Sequence, residues 1–313
     1  MNKFTFLLFC LLITSFSFAQ NKKITLEELW GGAFNTKELM VLRSMNDGQH
    51  YTILHTNSNG TTSSIAKYAY ESQEKTATLV SSSLSENIPY FTSYAFSKDE
   101  SKVLLATSLE VIYRRSKKGI YYVYDLVSKE ITQVAKGAIQ EPTLSPNGEK
   151  VAYVLNNDLF VMDIASGTTT QVTTDGETNA IINGVTDWVY EEEFSFVRAF
   201  EWNADGSFIA FLRFDERKVP EFSMDVYGSG LYPTPHKFKY PKAGEANAEV
   251  ALKLYELSTG TTTEIGLDDA YYIPRLKWKK NRAAFTLQTL KRLQKQLTMN
   301  TVNAVKKEYK VFH

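Results

Sequence analysis

The chain has 313 residues and a mass of 35.5 kDa, 43% of it hydrophobic and 22% charged, which excludes a disordered or fibrous polypeptide and a small disulfide-stapled module. Thirty-five Lys+Arg against 35 Asp+Glu leave a net charge of +0, so no basic field draws it to nucleic acid or to anionic lipid. Eighteen Tyr and 19 Phe beside a single Cys favour strands, because aromatic side chains fit a pleated, half-buried surface.

The N-terminus reads as an export signal. Lys3 precedes the apolar run Phe4–Ile13, and Ser17 and Ala19 supply the small residues that a signal peptidase requires. The run is too short to span a bilayer, which takes about 20 residues. Cleavage after Ala19 would remove Cys10 and leave an exported chain, periplasmic or secreted, with no membrane segment, disulfide, thiolate nucleophile or Cys metal ligand.

After a segment over residues 20–40, one phrase recurs through residues 41–313. A half-apolar strand leads into a tight turn, then a second strand, then a third with alternating apolar residues, closed by a Ser/Thr/Gly turn. The tight turns fall at Asp47-Gly48, Asp99-Glu100, Asn147-Gly148, Asp205-Gly206 and Asn281-Arg282. Asn-Gly and Asp-Gly suit two-residue type I′ hairpins, in which both central residues take φ > 0. Third strands include Tyr121–Leu126, Leu159–Ile164, Leu252–Leu257 and Leu297–Val302. The turns recur near the roughly 40–50 residues of a four-stranded propeller blade. A β-sandwich would not need that spacing, so the expectation is an all-β chain, a β-propeller of about five blade-like units. Two longer intervals hold insertions, Thr174–Val197 and Asp215–Ala248, and insertions in a repeat collect on the binding face.

Most common chemistries lack their motifs. The sequence has no Gly-x-Ser-x-Gly elbow, His-Glu-x-x-His pair, phosphate-binding Gly-x-x-x-x-Gly-Lys loop or dinucleotide fingerprint. The four His, at 50, 55, 236 and 313, show no metal-ligand spacing and assemble no triad, so neither metal nor cofactor is expected. What stands out is Asp187-Trp188-Val189-Tyr190-Glu191-Glu192-Glu193-Phe194 in the first insertion. Its carboxylates lie beside aromatic residues, a setting suited to an ammonium group such as a free peptide N-terminus.

That run, with Phe200–Gly206 and Ala210–Asp215 after it, resembles the dipeptidyl peptidase IV family of the prolyl oligopeptidase superfamily. Further matches are Ile24–Gly31, Tyr113-Arg114-Arg115-Ser116 and Tyr240–Asn247, so the resemblance runs from Ile24 to the end of the chain. It implies an eight-bladed propeller capping an α/β-hydrolase domain that removes X-Pro or X-Ala dipeptides from peptide N-termini. Glu192 and Glu193 match the pair that binds the substrate's α-amino group, and Arg114 the arginine that holds its carbonyl; Arg115 receives no role. The family's nucleophile, catalytic Asp and His, oxyanion tyrosine and proline pocket follow the propeller, outside this sequence. The expectation is thus a partial propeller without the hydrolase domain and with no catalytic residue, inactive alone, from a parent that is commonly a homodimer. Rival expectations are a non-catalytic propeller that captures peptide N-termini and a secreted adaptor whose acidic run is incidental.

Overall fold

A computed structural model describes residues 23–36, 39–83, 88–268, 270–280 and 283–312. The expected signal peptide, the Asn281-Arg282 turn and His313 lie outside the described residues. The chain divides into two units, Met1–Val41 and Leu42–His313. In the first, Thr25 and Glu28 form a capping box on the short helix α1, Leu26–Trp30: Glu28 N–H donates to Thr25 Oγ1 at 3.2 Å and Thr25 N–H to Glu28 Oε2 at 3.4 Å.

Among the described residues the second unit is five successive antiparallel blade sheets, with one separate two-stranded hairpin sheet inserted in the fourth blade. Blade 1 comprises β1 Leu42–Ser44, β2 His50–Thr56, β3 Ser63–Ala69 and β4 Lys75–Ser81. Blade 2 comprises β5 Ser93–Phe96, β6 Lys102–Val111, β7 Lys117–Asp125 and β8 Ile131–Gln133. Blade 3 comprises β9 Gln140–Leu144, β10 Lys150–Leu155, β11 Asp158–Asp163 and β12 Thr169–Gln171. Blade 4 interrupts its first strand: β13 Ile181–Asn183 and β14 Phe200–Trp202 both pair along one edge of β15 Phe208–Asp215, with helix α2, Trp188–Glu193, between them. Its hairpin β16 Glu221–Val226 and β17 Thr234–Lys239 precedes β18 Glu249–Glu256 and β19 Thr261–Ile265. Blade 5 is β20 Tyr272–Trp278, β21 Ala284–Leu290, β22 Leu297–Asn303 and β23 Glu308–Phe312. The expected all-β propeller of five blade-like units is the architecture observed.

Alternation along the second strands explains how the blades stack. Successive side chains point to opposite faces, so Val103 and Leu105 join a cluster with Ile65 and Val80 of blade 1, while Leu104 joins Val151 and Tyr153 of blade 3. Blade 3 repeats the device, sending Ala152 and Val154 to meet Ile209 and Phe211 of blade 4. From blade 4, Ala210 and Leu212 meet Phe285 and Leu287 of blade 5. Four buried clusters thus fill the four interfaces between five blades. Two indoles add the same polar link at equivalent places: Trp202 Nε1 donates to Thr143 O at 3.2 Å and Trp278 Nε1 to Glu201 O at 2.9 Å.

The first turns differ from the type I′ expectation. Only the second residue of each dipeptide has positive φ: Gly48 at 67°, Glu100 at 58°, Gly148 at 70° and Gly206 at 76°. Each closes a four-residue turn by donating its N–H three residues back, to Met45, Ser97, Ser145 and Asn203 at 2.9–3.1 Å. The Asp or Asn before it keeps φ < 0 because its side chain accepts the backbone N–H two residues on, as Asp47 Oδ1 does from Gln49 at 2.9 Å and Asp205 Oδ1 from Ser207 at 3.1 Å.

Leu105, fully buried between blades 1 and 2, is the simplest test of interdigitation. Leu105→Ala is expected to destabilise the chain by about 2–5 kcal/mol, the range for a core leucine that leaves a cavity. Urea unfolding measures it, and a loss below about 1 kcal/mol would contradict two-sided packing of this strand.

Candidate functional site

Three connections, distant in sequence, meet around α2. In blade 2 the β6–β7 hairpin carries a bulge between Thr107 and Glu110, with Ser108 at φ 49°, which bends its end and re-aims the 112–116 connection. Gly119 opposite has no room for a side chain, since a Cβ there would lie 2.7 Å from Leu109 Cδ2 and 2.9 Å from Thr107 O. The connection closes on itself through Ile112 N–H to Ser116 O at 2.9 Å and Tyr113 N–H to Ser116 Oγ at 3.2 Å.

Helix α2 starts at Asp187, whose Oδ1 accepts from Tyr190 N–H at 2.9 Å as an N-cap. Tyr190 anchors it in the core between blades 4 and 5. Its ring packs on Phe214 at 4.8 Å and Phe194 at 5.0 Å, and its hydroxyl accepts Ile273 N–H at 2.9 Å. The β16–β17 hairpin completes the group: Phe238 packs on Tyr113 at 6.1 Å, and Tyr240, just past β17, packs on Trp188 at 4.5 Å.

The three consecutive glutamates face three ways, as about 100° per residue on a helix requires. Glu191 turns inward, 1% exposed, and its Oε1 accepts the backbone N–H groups of Arg115 at 2.6 Å and Ser116 at 2.9 Å. Glu192 is half-buried and pairs with Arg114, whose Nε lies 2.9 Å from Oε2 and 3.2 Å from Oε1. Glu193 is exposed, has no hydrogen bond or ion pair among the described residues, and borders a cavity of about 320 Å³ walled by Trp188, Phe194 and Tyr240, with Lys242 and Arg292 at its rim. Of the three residues singled out from sequence, Arg114 and Glu192 are therefore in direct contact, and Glu193 follows Glu192 on the helix without touching Arg114.

Sequence reasoning passed over two residues here. Glu191 was subsumed in the acidic run, and Arg115 had no role. Arg115 in fact grips α2 from the other side, donating from Nε to Glu191 O at 3.3 Å and from Nη2 to Ser195 Oγ at 3.1 Å. The helical period offered a signal, since three adjacent carboxylates cannot share one face. Each histidine among the described residues has a neighbour in the fold: His50 contacts Asp47 at 2.7 Å, His55 contacts the Tyr68 hydroxyl at 2.8 Å, and His236 packs on Phe238. Among the described residues no cluster of three or more His, Cys, Asp or Glu could hold a metal ion, and no helix is long and apolar enough to cross a membrane.

Two more carboxyls are buried here, Asp187 at the start of α2 and Glu216 within reach of its charge. Burial pushes Asp187 up to about 6. Burial, then the charge of Asp187, pushes Glu216 up to about 7. Both shifts are upward, so the folded state holds protons that the unfolded chain releases, and the stabilisation is complete below the ordinary carboxylate range and lost as pH rises through about 6 to about 7. Glu216→Gln is expected to stabilise the chain at pH 8 by on the order of 3 kcal/mol, at about 1.4 kcal/mol per pKa unit, with little change at pH 4. Urea unfolding at the two values checks it; an equal effect at both would exclude the ionised carboxyl as the cause.

The family described as "Dipeptidyl peptidase IV (DPP IV) N-terminal region" matches residues 97–312. Dipeptidyl peptidase 4 of Felis catus is 35% identical over 225 residues, 66% of this chain and 29% of that protein. The prolyl endopeptidase FAP of Mus musculus is 32% identical over 216 residues, 65% of this chain and 28% of that protein. The crystal structure of Porphyromonas gingivalis dipeptidyl peptidase 4 superposes with a TM-score of 0.86 at 37% identity, covering 93% of this chain and 42% of that one. The chain spans under half the length of each of these three proteins, and within that span it belongs to the dipeptidyl peptidase IV family, whose N-terminal region it matches.

Proposed function

We propose that this chain is the substrate-recognising propeller portion of an exported dipeptidyl peptidase IV-type serine exopeptidase, which releases X-Pro or X-Ala dipeptides from peptide N-termini. Glu192 and Glu193 accept the substrate ammonium group, and Arg114 holds the peptide carbonyl. The observation that carries this reading is the asymmetric charge at the end of α2. Arg114 is joined to Glu192 through Nε alone, its side chain is 72% exposed, and its two terminal nitrogens carry no hydrogen bond among the described residues. Glu193 next to that pair is an exposed carboxylate with no protein partner among the described residues. An arriving ammonium has three donors to place, for which Glu193 offers an unpaired carboxylate and Glu192 the acceptor sites that Arg114 leaves open, and the free edge of the guanidinium can meet a carbonyl oxygen. Holding the peptide at both points measures its length from the amino end, which is what a dipeptidyl peptidase requires of its recognition element.

The catalytic step belongs to residues that this sequence does not contain, so the chain alone binds without cleaving. Export after removal of residues 1–19 and homodimer formation by the intact protein belong to the same reading. The test is binding of a Gly-Pro peptide by calorimetry. A charge-assisted hydrogen bond contributes about 1.5–3 kcal/mol, and each 1.4 kcal/mol is tenfold in affinity. Glu193→Gln is expected to weaken binding at least tenfold, Glu192→Gln with Glu193→Gln to abolish it, and the N-acetylated peptide not to bind. Equal binding of the free and acetylated peptides would end the reading, and indifference to both substitutions would favour the adaptor. Chromophore release from a Gly-Pro substrate by the purified chain, stopped by a serine-directed inhibitor, would refute the non-cleaving part.

A further inference from the structure

We infer that Glu191 is a positioning residue, whose buried carboxylate fixes the Arg114 segment against α2 and so sets where the Arg114 guanidinium stands relative to Glu192. The inference deepens the amine-binding reading and rests on it for its functional consequence. One oxygen of Glu191 takes two backbone N–H groups that are 76 and 75 residues away in sequence, at 2.6 and 2.9 Å. Those N–H groups belong to Arg115 and Ser116, the two residues that immediately follow Arg114. The grip is returned, because Arg115 donates to the Glu191 carbonyl and to the hydroxyl of Ser195, the residue at φ 61° just beyond the helix. Arg114 therefore projects from a backbone held on both sides, and its only side-chain partner among the described residues is Glu192.

A packing role would not select this residue. Glu191 is 1% exposed and shares its surroundings with two other buried carboxyls, Asp187 and Glu216, all three close enough to act on Tyr113. Burying a further carboxylate there is costly unless donors surround it. An apolar side chain of similar size would fill the space but could not accept two N–H groups. What the carboxylate adds is a fixed distance between two blades' connections, and misplacing a binding group by about 1 Å is enough to cost up to 100-fold in a positioned reaction.

The test compares the wild-type chain with Glu191→Gln and Arg115→Ala, each labelled with ¹⁵N, by amide hydrogen exchange, by the Arg114 Nε–H resonance and by affinity for Gly-Pro-amide. In the wild type, the Arg115 and Ser116 amides are expected to exchange at least a hundredfold more slowly than exposed loop amides, and the Arg114 Nε–H signal to be resolved. Exchange as fast as in an exposed loop overturns the inference without any variant. Glu191→Gln keeps one acceptor oxygen but loses the charge that strengthens both hydrogen bonds and puts an NH2 donor in place of the second oxygen, so exchange at those two amides is expected to quicken at least tenfold, the Nε–H signal to be lost, and affinity to fall at least tenfold at a temperature where blade 1 and blade 3 amides are unchanged. Arg115→Ala keeps the Glu191 carboxylate and is expected to fall between the two. Quickened exchange with the Nε–H signal and affinity intact makes Glu191 an anchor only and overturns its positioning role. If the wild type does not bind Gly-Pro-amide, the amine-binding reading fails, and the Nε–H signal still decides: loss in Glu191→Gln upholds the placement of Arg114, and persistence overturns it.

Discussion

Everything in the second unit depends on the two-sided burial of each blade's second strand. Val103, Leu104 and Leu105 alternate between neighbours, as do Ala210, Phe211 and Leu212, so no blade owns its core. The consequence is cooperative placement. A strand buried on both faces cannot slip its register by one residue without exchanging the neighbours of every side chain. The connections at the strand ends therefore inherit a fixed position. The 112–116 connection of blade 2 and α2 of blade 4 meet across an intervening blade because blade 3 packs on both.

Within that frame, α2 is a six-residue helix that could not persist alone, since isolated helices shorter than about 12–15 residues are marginal in water. Besides its local Asp187 cap, it is held by tertiary contacts of the Tyr190 hydroxyl on Ile273 and of the Glu191 carboxylate on the Arg115 and Ser116 amides. Interrupting the first strand of blade 4 is what makes room for it. The strand resumes at Phe200 along the same edge of β15, so the sheet keeps its hydrogen bonds while the chain makes an excursion of one helical turn and a half.

Much of this was legible in the amino-acid order, and the rest was hidden for identifiable reasons. Period-two alternation and recurrent Asp-Gly and Asn-Gly turns announced the blades because both are local. The turn geometry was misread because the dipeptide alone does not reveal that Asp47 and Asp205 spend their side chains on the next N–H groups, which keeps φ negative at those residues. At the site, Arg114, Glu192 and Glu193 came from a motif, and the motif is silent on pairing. The contact of Arg114 with Glu192 spans 78 residues, and that of Glu191 with Arg115 spans 76. No periodicity encodes such partners, only the stacking of blades that brings them together. The base of the β16–β17 hairpin was likewise invisible, because Phe238 and Tyr240 read as strand aromatics until Tyr113 and Trp188 lie against them.

The three carboxylates of α2 then divide one chemical problem by exposure. A carboxylate that must hold backbone is best buried, where its hydrogen bonds are strong and water does not compete. One that must receive a cation is best left accessible, because an ion pair that is already satisfied and desolvated has nothing to gain from a newcomer. Glu191 and Glu193 occupy these two limits, and Glu192 stands between them, half-buried and committed to Arg114 on one side. Arg114 pairs with Glu192 and offsets part of its charge beside the neighbouring carboxylate. In the proposed function, an ammonium group is the cation that completes the charge balance at these carboxylates.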